Sequence, residues 1–156
     1  TLFEFLILET FQAGLSWITV LRKRKNFREA FDSFDYKKIA KYQQPKIDEL
    51  LENVGIIRNK LKVNATITNA QAFMKIQDEF GSFSKYIWAF VGGKPLRNSF
   101  KNHKDVPANT PLSDLISKDL KMRGFKFVGS TVVYAHIQAT GMVNDHEISC
   151  FRYNEV

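Results

Sequence analysis

Apolar residues recur along this chain at the three-and-four spacing of amphipathic helices, and the strict alternation of a half-buried strand is scarce. Residues 2–13 predict a helix that is apolar on nearly every side and is stopped by Gly14. Ser16 is placed to cap a second helix, from Trp17 through Leu21 into the basic run Arg22-Lys23-Arg24-Lys25. Asp35 suits the cap of a short helix near 36–42. Pro45 suits the first turn of another through Ile47, Leu50 and Leu51. A glycine-centred link, Val54-Gly55-Ile56-Ile57-Arg58-Asn59-Lys60, then leads into a helix through Leu61, Val63, Ile67 and Ala70. Further helices are predicted over 83–91, from Thr110-Pro111 through Leu120, and from Ser130-Thr131 to Gly141. The polar, basic stretch up to Asn109 predicts a long surface loop, and residues 125–129 a short extended link. With no repeat period, low-complexity tract or interdomain linker, the pattern is that of one all-α domain over 1–156.

One position interrupts the first helix. Glu9 follows Phe5 and Leu6 by a turn, so its carboxylate leaves an apolar face. An unpaired buried carboxylate costs several kcal/mol, so Glu9 must neutralise, meet a buried partner, or await a ligand with donors or positive charge. Trp17, beyond the glycine stop, suits either the core or a flat stacking surface beside that carboxylate. The basic run 22–25 reads equally as a solvated last turn that complements the helix dipole and as a phosphate-facing strip. The Gly55 link is either an ordinary connection or a hairpin presenting N–H groups to a phosphate, with Arg58 and Lys60 adding charge. His146 and Cys150, four apart, would share a helical face and are compatible with two ligands of a tetrahedral zinc, although a single cysteine is commonly a small buried hydrophobe. His103 and His136 have no partner in sequence and read as surface or core residues.

Composition narrows the classes. Hydrophobic residues make up 44% of the chain and phenylalanine alone contributes 14, which supplies a packed core and excludes disorder. A net charge of +7 favours a polyanionic partner. No apolar run reaches the roughly 20 residues that span a bilayer, and neither a signal peptide nor a nucleotide-binding glycine loop occurs, so neither a membrane nor a nucleotide cofactor is expected. The single cysteine, Cys150, excludes an internal disulfide and suits a reducing cytoplasm. Thr1 opens directly onto a helical pattern, as the remainder of a longer polypeptide would.

Four collinear motifs carry a resemblance. They are Leu8-Glu9 with Gln12-Ala13-Gly14-Leu15-Ser16-Trp17-Ile18-Thr19-Val20-Leu21, Gly55-Ile56-Ile57-Arg58, Arg123-Gly124-Phe125-Lys126-Phe127-Val128-Gly129, and Val143-Asn144-Asp145-His146. Together they resemble the bacterial DNA-3-methyladenine glycosylase I family from Thr1 to about Cys150. The resemblance implies a helix-hairpin-helix glycosylase that hydrolyses the N-glycosidic bond of 3-methyladenine in alkylated double-stranded DNA, as a cytoplasmic monomer. On it, Glu9 is the catalytic, base-binding carboxylate and Trp17 stacks on the base. Gly14 and Leu15 approach the duplex where the base has left, and Gly55, Ile56, Ile57 and Arg58 hold the backbone. Ile57 stands where the wider superfamily has a second glycine. His146 and Cys150 match half of a structural zinc site whose other ligands, in the family, lie before the position of Thr1. The implied chain is N-terminally truncated and expected to hold zinc weakly or not at all. A catalytically impaired DNA-binding module of the same fold is the competing reading.

Overall fold

The computed structural model describes residues 1–155 as helices gathered around one hydrophobic core. Helix α1 (Leu2–Gln12) is central: most of its residues are buried, and it packs against α2 (Trp17–Leu21), α6 (Lys60–Phe80) and α9 (Ser130–Ala139). This is why its sequence is apolar on nearly every side. Around it lie α3 (Arg24–Ala30), α4 (Tyr36–Ile39), α5 (Gln44–Glu52), α7 (Phe83–Ala89) and α8 (Pro111–Met122). Phenylalanines weld these elements together, with Phe11 edge-on to Phe27 at 4.7 Å and Phe73 stacked on Phe83 at 4.4 Å. Such ring pairs add stabilisation beyond the area they bury.

Local chemistry explains the boundaries. Asp35 accepts from the backbone N–H groups of Lys37 and Lys38, Ser82 from that of Lys85, and Thr110 from that of Ser113 within a capping box. The basic run behaves differently from a single helix end. α2 stops at Leu21 and a new helix starts at Arg24, because side chains of the run are recruited inward. Arg24 and Arg28 pair with the buried Glu4 carboxylate at 2.9 and 3.4 Å, and Lys23 Nζ donates to the carbonyls of Val54 and Gly55.

Two loops also depart from expectation. The basic loop after α7 contains a short strand, β1 (Leu96–Arg97), paired in parallel with β2 (Val143–Asn144), so it is tied to the chain after α9. The link at 125–129 is a turn rather than an extended segment. Phe127 sits at φ +57°, and Asn69 clamps the preceding residue by donating to Lys126 O (3.1 Å) and accepting from Lys126 N (2.7 Å).

Candidate active site

α1 carries two buried carboxylates of opposite character. Glu4 is compensated by two arginines. Glu9, 3% exposed, has no hydrogen bond or ion pair among the described residues. Burial raises its carboxyl from the ordinary 4.5 to about 7. Of the three fates open to such a carboxylate, the buried partner is therefore absent. The carboxyl is thus held toward its neutral form by burial alone, with no protein donor to favour its ionisation.

One turn beyond Glu9 the chain forms a type II turn. Ala13 at φ −49°, ψ 117° is followed by Gly14 at φ +81°, and Leu15 N donates to Gln12 O at 2.7 Å. The left-handed φ is what requires glycine here, since a Cβ at Gly14 would meet nothing within 4 Å. Gly14 and Leu15 project into solvent. Residues 12–16 form one wall of an open cleft of about 560 Å³, and Thr131, Val132 and Ala135 of α9 form the other. Glu9 and Trp17 do not line this cleft themselves. Glu9 sits one helical turn beneath Gln12 and Ala13, and Trp17 opens α2, half-buried and packed against the core.

The Gly55 link joins α5 to α6 through residues 53–59. Ile56 is buried as its anchor, whereas Ile57 is half-buried and Arg58 is exposed. Gly55 is closely approached: a Cβ there would stand 2.9 Å from Asn53 Oδ1 and 3.1 Å from Asn26 Nδ2, so both side-chain amides would have to shift. Those amides hold the turn, Asn53 accepting from Gly55 N and Asn26 donating to Gly55 O. The N–H groups of Gly55 and Ile56 are consumed inside the turn. Those of Ile57 and Arg58 have no protein acceptor among the described residues.

His146 and Cys150 do not share a helix. They lie in turns after β2, yet Cys150 Sγ and His146 Nδ1 come within 3.5 Å. The backbone ahead of them is set by Asn144, which accepts from His146 N and donates to Tyr153 O. Asp145 accepts from Tyr134, Gln138 and Asn98. His103 lines the same cavity, of about 460 Å³. No cluster of three or more His, Cys, Asp or Glu residues suited to a metal occurs among the described residues. His136 is a core residue of α9, with both ring nitrogens unpartnered and its pKa depressed by burial to about 4.

Sequence reasoning missed the Glu4 pairings, the Asn69 clamp and Lys62. For Lys62 a signal existed. It stands in the buried stripe Lys62, Thr66, Asn69 and Phe73, a polar residue on an inward helix face just as Glu9 is.

A helical domain with a solitary buried carboxylate near a solvent-open cleft, and an interhelical link with two free N–H groups, is suited to holding a polyanion while accommodating a cationic group. Residues 1–153 match the methyladenine glycosylase family, and the chain belongs to it. It is 44% identical over 152 residues to DNA-3-methyladenine glycosylase 1 of Escherichia coli (strain K12), covering 97% of this chain and 81% of that protein. It is 47% identical over 149 residues to the DNA-3-methyladenine glycosylase of Haemophilus influenzae, covering 96% and 80%. A crystal structure of 3-methyladenine DNA glycosylase I superposes with a TM-score of 0.93 at 47% identity, over 96% of this chain and 82% of that one. The Staphylococcus aureus enzyme, in a structure concerned with 3-methyladenine recognition, superposes at 0.94 with 36% identity over 97% and 81%. The all-α expectation holds, with a two-residue strand pair and an isolated parallel bridge between Phe100 and Glu147 as its β features among the described residues.

Proposed function

We propose that the protein excises 3-methyladenine from alkylated double-stranded DNA, acting as a cytoplasmic monomer and leaving an abasic site for base excision repair. The observation that carries this reading is the unpartnered Glu9 carboxylate. Adenine methylated at N3 is cationic and its glycosidic bond is already weakened. A carboxylate in a low-dielectric pocket therefore favours the damaged base over neutral adenine, and favours departure of the base most where its hydrogen bonds strengthen as the bond breaks. The buried carboxyl's own chemistry fits: with the Glu9 pKa raised by burial to about 7, an arriving cation draws it into the ionised form.

Extruding a base costs a few kcal/mol. Stacking on Trp17 and insertion of Gly14 and Leu15 into the vacated space offset that cost. Gly55 and Ile56 shape the hairpin, and the free N–H groups of Ile57 and Arg58 with the Arg58 guanidinium hold a phosphate. Ile57, where a second glycine was expected, thus contributes through its backbone. Water is the nucleophile. Lys62, the most buried lysine among the described residues, has its Nζ bonded to two carbonyls, an arrangement that opposes an amine-based lyase step.

His146 and Cys150 are assigned as half of a structural zinc site. Bonds of about 2.3 Å to sulfur and 2.05 Å to nitrogen at a tetrahedral angle place the two ligand atoms about 3.6 Å apart, which the observed 3.5 Å matches. Zinc there would tie the turns after β2 together and takes no part in bond cleavage. Two ligands predict weak, displaceable binding by this chain, and stoichiometric zinc that survives dialysis would overturn that.

The test is release of bases from methylated duplex DNA, identified by chromatography. Release of 3-methyladenine that Glu9→Gln abolishes supports the reading. Tight duplex binding without release at stoichiometric enzyme would instead establish a DNA-binding module of the same fold.

A further inference from the structure

Lys62 is the third residue of α6, immediately after the hairpin, and is 6% exposed. Its backbone N–H donates to Asn59 Oδ1 (3.1 Å), which caps the helix. Its Nζ crosses to another part of the molecule and donates to Phe11 O at 2.8 Å and Ala13 O at 2.7 Å. The first of these carbonyls belongs to the last turn of α1 and the second to the type II turn ending at Leu15. An ammonium at that end of α1 also meets the negative pole of the helix. No carboxylate competes for it, and no other donor reaches Ala13 O among the described residues.

The turn beyond is closed by its own Leu15 N to Gln12 O bond and rejoins the core at Trp17, but its tip is exposed. Gly14 touches nothing within 4 Å of where a Cβ would lie, and Leu15 is 41% exposed. Its position relative to the hairpin therefore depends on its stem, and Lys62 joins that stem to the first turn of α6. We propose that Lys62 is a positioning residue that sets the Ala13-Gly14-Leu15 turn at a fixed height above the hairpin, so that gripping the phosphates places the turn where the extruded base leaves. This rests on the glycosylase reading above. Lys62 contacts neither base nor phosphate on this account, and its effect is confined to the extrusion step.

The test compares single-turnover excision from two duplexes, one with 3-methyladenine opposite thymine and one with it opposite an abasic-site analogue. Removing the pairing partner lowers the cost of extrusion and with it the need for the turn. Lys62→Met is expected to slow excision opposite thymine by about tenfold or more, and opposite the abasic analogue by less than about threefold. Ile76→Val, a core change on the same helix, sets the pattern for simple destabilisation and slows both alike. Should Lys62→Met fail to fold, Lys62→Arg keeps the charge but not the reach of a single ammonium, and shows the same selectivity at smaller amplitude. Equal losses on the two duplexes overturn the positioning role and leave the glycosylase reading intact. Absence of release by the unaltered protein from either duplex overturns both.

Discussion

Glu9 and His136 are both buried without partners, and their titrations act on stability in opposite directions of pH. Glu9 has its folded pKa raised from 4.5 to about 7, so the folded state prefers the proton. Its stabilising neutral form is lost as pH rises from 4.5 through about 7, and above that the ionised carboxylate costs up to about 3 kcal/mol. Glu9→Gln is therefore expected to equal the parent in urea stability near pH 4 and to exceed it by as much as about 3 kcal/mol at pH 8. On the proposed role the same variant is expected to lose excision, because a neutral amide lacks the charge that complements a cationic base; single-turnover rates equal to the parent's would remove Glu9 from the mechanism. His136 has its folded pKa lowered from 6.5 to about 4, so the unfolded chain binds the extra proton and stability falls as pH drops through that window. His136→Phe removes two unsatisfied nitrogens, and we expect a gain of about 1–2 kcal/mol at pH 7 that grows toward pH 4.5, measured by urea unfolding. Glu9 was legible because a lone charge in an apolar run needs a reason. Glu4 stood in the same helix with the same signal, and only the fold reveals that Arg24 and Arg28 cancel it.

At the scale of elements, two glycines that look alike in sequence have different reasons to be glycine. Gly14 needs a left-handed φ and has empty space around it, whereas Gly55 has an ordinary backbone and no space. Gly14→Ala is expected to cost about 1–2 kcal/mol of local strain, which the exposed turn relieves by changing shape. Excision should then fall severalfold with little loss of global stability, and a parallel fall in both would contradict this. Gly55→Ala drives a methyl against Asn53 and Asn26, the two side chains that hold the hairpin. We expect a loss of about 1–3 kcal/mol in urea unfolding together with weaker duplex binding. The helix boundaries near Gly14, Asp35, Pro45 and Thr110 were legible because caps and turns are local chemistry. The break between α2 and α3 was not. It depends on Glu4 and on the carbonyls of Val54 and Gly55, partners 20 to 32 residues away in sequence. The same holds for His146 and Cys150: their proximity could be anticipated, but by helical spacing, whereas the fold achieves it through turns held by Asn144 and Asp145.

For the molecule as a whole, the 23 lysines and arginines overstate the cations available to DNA. Lys23, Arg24, Arg28, Lys62 and Arg123 are engaged with carbonyls or carboxylates of the protein itself. Arg58, beside the free N–H groups of the hairpin, is exposed and has no protein partner among the described residues. Each phosphate that a cation neutralises releases counterions, so the slope of log affinity against log salt counts such contacts, at about 0.9 per contact. Arg58→Ala is expected to reduce that slope by about 0.9 and to weaken binding similarly across sequences, since a phosphate contact carries no base information. Arg24→Met removes the same formal charge from the chain. Because Arg24 is turned inward to Glu4, the slope should stay at the parent value while urea stability falls by about 2 kcal/mol, with Arg28 left to compensate the buried carboxylate. Salt titrations of the two variants on one undamaged duplex separate charge that is merely present from charge that is presented. Equal changes in slope would show that the basic run faces the phosphates after all.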